Sequence, residues 1–242
     1  DEEIKMLTER LVELQKEKAK ADVDVNLVEK KLKDTANEIN SENLYYKAFD
    51  ITKVNEHIAL FDEVAETEDF VLVHNTAEIL KAKEDGKIAM LLGLEGLAGI
   101  GEDIDRIHEL YDLGCRHAML TWNEENALAT GVKGTPERGV TELGRKAIRL
   151  IQDKKMILDV SHLNEKSFWD VMDATTAPIL ASHSNAKALA SAARNLTDAQ
   201  LRALRDTDGL IGLNAYHHFV SDVTAEQDVD HLVHHAAYIA DK

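Results

Sequence analysis

The stretch ILDVSHLNEKSFWDVMDATTAPILASHS, residues 157–184, decides the fold. It holds two short apolar runs, and each ends in the same polar pair, Ser161-His162 in the first and Ser182-His183 in the second. Between them, residues 164–174 read as a helix that opens at Asn164, a side chain suited to capping free backbone N–H groups. Strand, helix, strand in this order specifies two parallel strands joined by a crossover.

Working outward, the alternation continues on both sides. KIAMLLGLEG (87–96) reads as a buried strand, 103–113 as a helix stopped by Gly114, RHAMLTW (116–122) as a strand and 141–153 as a helix capped by Thr141. Downstream, a helix over 198–206, a strand in LIGLNAY (210–216) and a helix over 225–240 follow. Earlier in the chain, helices are expected over 51–66 and over 76–85, the second opening at Asn75 or Thr76 and closing at Gly86. Apolar strands alternating with helices give the α/β class, a parallel sheet covered by helices, either a barrel or an open sheet. Five strands are clearly recognisable.

In such folds the chemistry sits at the carboxyl ends of the strands, where the following loops open onto one mouth. The polar residues at those ends are Glu95, Thr121 with Trp122 and Asn123, His162, His183 and Asn214. A single histidine at a strand end is more often a hydrogen-bonded structural group than a ligand. Two at equivalent positions of adjacent units, with a glutamate inside the apolar run LLGLEGLAG, are harder to explain that way, because a buried carboxylate is costly unless something positive compensates it. Glu95, His162 and His183 form a set that borderline cations such as Zn²⁺ accept, with a fourth position left for water. The sequence supports one such site.

The 242 residues carry a net charge of -17, which argues against nucleic acid or an anionic membrane as the main partner and leaves small-molecule ligands open. Cys115 is the sole cysteine, so no internal disulfide is possible and a reducing, cytoplasmic compartment is expected. No apolar run approaches the roughly 20 residues that a spanning helix needs. Residues 1–40 contain no Gly, Pro or aromatic residue, and Ile4, Leu11, Lys18, Val25, Leu32 and Ile39 recur at heptad spacing, with the charged Lys18 the one break in the apolar series. That pattern predicts an amphipathic helix, a helical hairpin or a coiled coil as a segment distinct from residues 41–242. His231, His234 and His235, with His217 and His218 upstream, could bind a metal, although exposed histidines on a surface helix are the plainer expectation. The loop from Ala127 to Gly139 is expected to lie over the mouth.

The segments LLGLEGLAGIGEDIDRIHELYDLGCRHAMLTWNEENALATG, GVTELGRKAI, ILDVSHLNEKSFWDV, PILASHSNAKAL, ARNLTDAQL and GLIGLNAY resemble, in order from about residue 41 to 242, successive parts of the membrane dipeptidase (renal dipeptidase) family in its bacterial form. The resemblance implies a (β/α)8 TIM-type barrel with two zinc ions bridged by a glutamate, hydrolysing dipeptides. It implies that Glu95 is the bridging carboxylate and that His162 and His183 are the imidazoles of the second zinc. By the same resemblance Arg194 holds the substrate carboxylate, a task suited to a planar guanidinium. Trp122 stands where many members carry a substrate-contacting histidine, and Asn126 falls near the asparagine that follows it. The sequence also departs from the family: no His is followed two places on by Asp, the motif of the first zinc, and no D-F-D-like motif carries a catalytic aspartate. The barrel is therefore expected to be incomplete and its activity impaired. Its bare strand edges would be covered by residues 1–40, a second copy of the chain or a complementing chain. The alternative expectation is a catalytically inactive barrel chain that serves assembly through its N-terminal segment.

Overall fold

The computed structural model describes residues 69–242. The heptad segment 1–40 and the helix expected over 51–66 lie outside the described residues. The first described strand, β1 (Phe70–Leu72), leads into helix α1 (Thr76–Glu84), which Asn75 caps by accepting the Glu78 N–H at 3.0 Å. Strand β2 (Ile88–Met90) returns parallel to β1, with Phe70 opposite Ile88. β1 was not among the strands recognisable in the sequence: the four apolar residues between Asp69 and His74 are too short a run for a periodic signal.

The run expected as one strand over 87–96 is divided. Its first part pairs with β1, ending at the bond from the Val73 N–H to the Met90 carbonyl, 2.8 Å. Its second part, β3 (Gly93–Leu94), pairs with β4 (His117–Met119) after helix α2 (Arg106–Asp112). There follow α3 (Glu142–Asp153), β5 (Ile157–Asp159), α4 (Glu165–Ala174), β6 (Leu180–Ala181), α5 (Asp198–Asp206), β7 (Leu210–Ile211), the short α6 (His217–Val220) and α7 (Val229–Ala240). Strands β3 to β7 form one sheet in the order of the sequence, every pair parallel. Strict sequential order is that of a barrel wall, whereas an open doubly wound sheet reverses direction at a switch point. Among the described residues the wall does not close.

Register gives the sheet two unlike faces. Leu94, Ala118 and Leu158 align across three strands, and Ala181 aligns with Ile211 across the next two. This face meets Ile107 and Leu110 of α2, Ile148 and Ile151 of α3, Phe168 of α4 and Leu204 of α5 in one apolar core. In α3 the buried positions Gly144, Ala147, Ile148 and Ile151 keep the i, i+3, i+4, i+7 spacing of a one-sided helix. Each fully buried large side chain contributes about 1.5–3 kcal/mol relative to exposure. The concave face carries Gly93, His117 and Ile157 in one row, with Met119, Asp159, Leu180 and Leu210 in the next. It is the polar and more open side: Leu210 is 68 % exposed and Ile157 38 %.

Candidate metal centre

Three strand ends deliver the site. Glu95 follows β3 directly, and Gly96 after it has φ +102; a Cβ there would stand 2.9 Å from the Trp122 backbone nitrogen, so only glycine lets the chain leave in this direction. His183 stands two residues beyond β6. His162 stands three beyond β5 and has φ +73, a left-handed conformation that costs a non-glycine residue on the order of 1–3 kcal/mol and is found mainly where function requires it. The bond from the Val132 N–H to the His162 carbonyl, 2.9 Å, holds this turn.

The three side chains meet. His162 Nε2 lies 2.8 Å from Glu95 Oε1 and 2.8 Å from His183 Nε2, and His183 Nε2 lies 3.4 Å from Glu95 Oε1. On its other side His162 Nδ1 is 2.9 Å from Oδ1 of Asn123, an acceptor, so Nδ1 bears the proton and Nε2 offers a lone pair. A lone pair facing a carboxylate oxygen at that distance is repulsive unless a cation lies between them. A proton is disfavoured: burial and then the Arg194 charge hold His162 down at about 4, and the same two causes lower His183. Ser182 Oγ, 2.8 Å from His183 Nδ1, can accept that ring's proton and leave its Nε2 free as well. Two neutral imidazole nitrogens and a carboxylate oxygen, all aimed at one point, are the donor set of a borderline divalent metal, and each imidazole has the outer hydrogen bond that orients a metal-bound histidine.

Around this centre a cleft of about 520 Å³ is lined by Glu95, His117, Met119, His183, Leu213 and Asn214. Trp122, partly exposed, stands with its ring centroid 5.9 Å from that of His162. Arg194 is buried and donates from Nη2 to the His183 carbonyl at 3.2 Å. Burial lowers its guanidinium to about 10, still far above neutral pH. Asn126, by contrast, is engaged by its own loop: Nδ2 donates to the Leu120 carbonyl at 2.7 Å, and Oδ1 accepts the Leu128 and Ala129 N–H groups. The asparagine that touches a candidate ligand is Asn123, three positions earlier. Asn214 lines the cleft while its Oδ1 accepts the Tyr216 N–H in a tight turn.

The C-terminal histidines do not form a second cluster of this kind among the described residues. His235 is fully buried, accepts the Ala186 N–H at Nδ1 (3.1 Å) and donates from Nε2 to the Val220 carbonyl (2.9 Å). The expectation of surface exposure is corrected there: one turn of helix separates it from His231, but α7 lays that face against α6 and the loop after β6. His231 is half-buried and pairs with Asp228, the N-cap of α7.

A parallel sheet in sequential order that brings a carboxylate and two imidazoles to one point at its carboxyl end has the architecture of a barrel wall with a candidate metal site at its mouth. The chain belongs to the membrane dipeptidase family, peptidase family M19, whose family model matches residues 9–242. It is 40 % identical over 146 residues to an uncharacterised protein in the pqqA 5′ region of Klebsiella pneumoniae, covering 58 % of this chain and 54 % of that protein. A protein in the PQQ-III 3′ region of Acinetobacter calcoaceticus is 33 % identical over 174 residues, covering 68 % of this chain and 55 % of that one. Among solved structures, a metallo peptidase from Rhodobacter sphaeroides liganded with a phosphinate mimic of the dipeptide L-Ala-D-Ala superimposes with a TM-score of 0.70 at 32 % identity, covering 77 % of this chain and 56 % of that one. The chain thus spans about half the length of the relatives it matches. No helix among the described residues is long and apolar enough to cross a membrane.

Proposed function

We propose that this chain takes part in the hydrolysis of dipeptides with a zinc ion held by Glu95, His162 and His183. The observation that carries the reading is the meeting of Glu95 Oε1, His162 Nε2 and His183 Nε2, with the Asn123 oxygen at the other His162 nitrogen to hold that ring's proton away from the centre. A zinc ion bound there supplies a Lewis acid and brings the pKa of a bound water to about 7. The rest is the work of the chain's own side chains. Asn123 fixes the tautomer of His162, so that Nε2 faces the centre. Arg194 is a buried cation with no carboxylate in ion-pair range among the described residues, and one backbone carbonyl leaves most of its five N–H donors free. Such a guanidinium is suited to the free carboxylate of a short peptide, which would enter as a bidentate partner and complete its pairing. Trp122 forms an apolar wall beside His162. The dipeptide mimic bound by the Rhodobacter sphaeroides relative supports this substrate class.

With neither the H-x-D nor the D-F-D-like motif in its sequence, this chain alone is expected to turn over slowly. The exposed concave residues Leu210, Ile157 and Leu213 favour a second copy or a complementing chain at the open wall. An incomplete barrel used for assembly is the competing reading. The buried, sole cysteine, Cys115, fits a cytoplasmic setting. The test is to assay a panel of dipeptides and N-acylated dipeptides, with metal analysis, on the wild type, His183→Ala and Arg194→Ala. The reading expects His183→Ala to lose both metal and turnover, and Arg194→Ala to keep metal while KM rises about 10–100-fold, the scale of losing one charge-assisted pair. Metal and turnover unchanged in His183→Ala would contradict it.

A further inference from the structure

The metal centre rests on a layer of polar contacts one register step down the concave face. Asp159, the last residue of β5, is fully buried, and each of its carboxylate oxygens has a definite job. Oδ1 accepts the Ser161 N–H at 2.8 Å and the Ser182 N–H at 3.3 Å. Oδ2 lies 2.8 Å from Nε2 of His117 on β4. Ser161 and Ser182 are the residues immediately before the two histidines, so one oxygen ties together the strand ends that present them. Ser161 adds a cross-link of its own, its Oγ accepting the His183 N–H at 3.2 Å. The far side is also prepared: Gly93 sits opposite His117 in register, and a Cβ there would fall 2.4 Å from His117 Nδ1, inside the ring's space.

We infer that Asp159 is a positioning residue for the metal centre: by gripping the Ser161 and Ser182 amides with one oxygen and His117 with the other, it sets the spacing at which His162 and His183 meet. The inference rests on the proposal that these histidines hold a metal, but the grip itself does not. The repeated Ser-His pair thereby gains its reason: each serine amide is a handle, and each histidine is what the handle aims. Without the carboxylate, the ends of β5 and β6 are joined there by one register pairing, Asp159 opposite Leu180, with the Val160 N–H donating to the Leu180 carbonyl at 2.8 Å, and by the Ser161 hydroxyl. A carboxylate that burial alone would push toward its neutral form is instead held below its usual range by the His117, Ser182 and Ser161 contacts, as a three-way anchor requires.

The experiment compares zinc affinity, by chelator competition, in the wild type, Asp159→Ala, Asp159→Asn, His117→Ala and Leu201→Ala, with amide hydrogen exchange at Ser161 and Ser182 measured on the metal-free proteins. Residues that orient metal ligands typically contribute 10–100-fold in affinity, and a loss of that size is expected for Asp159→Ala. Asp159→Asn retains an acceptor oxygen for both amides and should recover most of it. Leu201→Ala opens the core beneath α5 and should lower Tm while leaving zinc affinity unchanged, which separates positioning from general stability. Should Asp159→Ala not fold, His117→Ala decides: its affinity should fall by a smaller factor, and wild-type affinity would overturn the proposal. Wild-type zinc affinity in a folded Asp159→Ala, or unchanged protection of both serine amides in it, would also overturn it. A wild type that binds no zinc would remove the proposed function. The exchange data would then decide the grip alone, faster exchange in Asp159→Ala upholding it and unchanged exchange sinking it.

Discussion

Two groups of histidines lie within this chain, and their contrast shows what separates a candidate ligand from a structural ring. His235 is fully buried with both nitrogens satisfied, one accepting from Ala186 and one donating to Val220; its hydrogen-bonding capacity is exhausted. His162 is as carefully held, but by one nitrogen only, and its free Nε2 is driven against two other acceptor atoms. Burial does not distinguish them, since His162 is only 6 % exposed. The difference is unspent bonding capacity: a site is where a fold pays strain, here the positive φ of His162, to hold lone pairs facing one another. Arginines repeat the lesson. Arg138 is consumed by Asn126, Ala129 and Thr130, whereas Arg194 has one carbonyl and charge to spare.

The sharpest way to break the comparison is to exchange the consequences. His162→Ala should abolish stoichiometric metal binding, with at least a 100-fold loss in affinity on the scale of a lost ligand, and leave thermal stability nearly intact. His235→Ala should do the reverse. It leaves the Ala186 N–H and the Val220 carbonyl without partners and opens a cavity, a loss of about 2–4 kcal/mol by denaturant titration, with zinc affinity unchanged. If His235→Ala cost the protein its metal as His162→Ala does, the two groups would not be distinct.

Acidity separates the groups by sign. His162 titrates at about 4 when folded against about 6.5 when unfolded. Between those values the unfolded chain binds more protons, so stability of the metal-free protein is full above pH 6.5 and falls as pH drops toward 4. His183 acts in the same direction. His231 is shifted the other way by its hydrogen bond to Asp228, so its contribution is present below pH 6.5 and fades as pH rises through its raised pKa. A Tm series from pH 7.5 to 4.5 should therefore decline, and more weakly in His162→Ala; a flat series would contradict the assignment. The smallest effect is expected at His231→Ala, which should not move Tm measurably, because an exposed pair contributes little and Asp228 still accepts the residue-231 N–H.

How much of this was legible in the sequence follows the same division. Run-end positions singled out Glu95, His162 and His183 as candidates, because residues just past the carboxyl ends of parallel strands lie at the mouth, and the fold brings these three together. Helix caps at Asn75, Thr141 and Asn164 are local chemistry. Family resemblance, not pattern, singled out Arg194. Asn123 and Asn126 were not separable from spacing, because which of them faces His162 depends on how the loop after β4 reverses, and that is settled by distant partners such as Leu120 and Arg138. Strand β1 was too short to show. Asp159 stood in plain view in DVSH, but its task depends on the amide of Ser182, a residue of the next strand. The burial of His235 likewise depends on what covers α7.

The central claim is that Glu95, His162 and His183 hold one ion. Its most direct test is zinc K-edge X-ray absorption on protein loaded with one equivalent of zinc. The spectrum should show two imidazole nitrogens at about 2.0–2.1 Å with oxygen completing the shell, and one imidazole fewer in His162→Ala. A spectrum of oxygen ligands alone, or one that His162→Ala leaves unchanged, would contradict it.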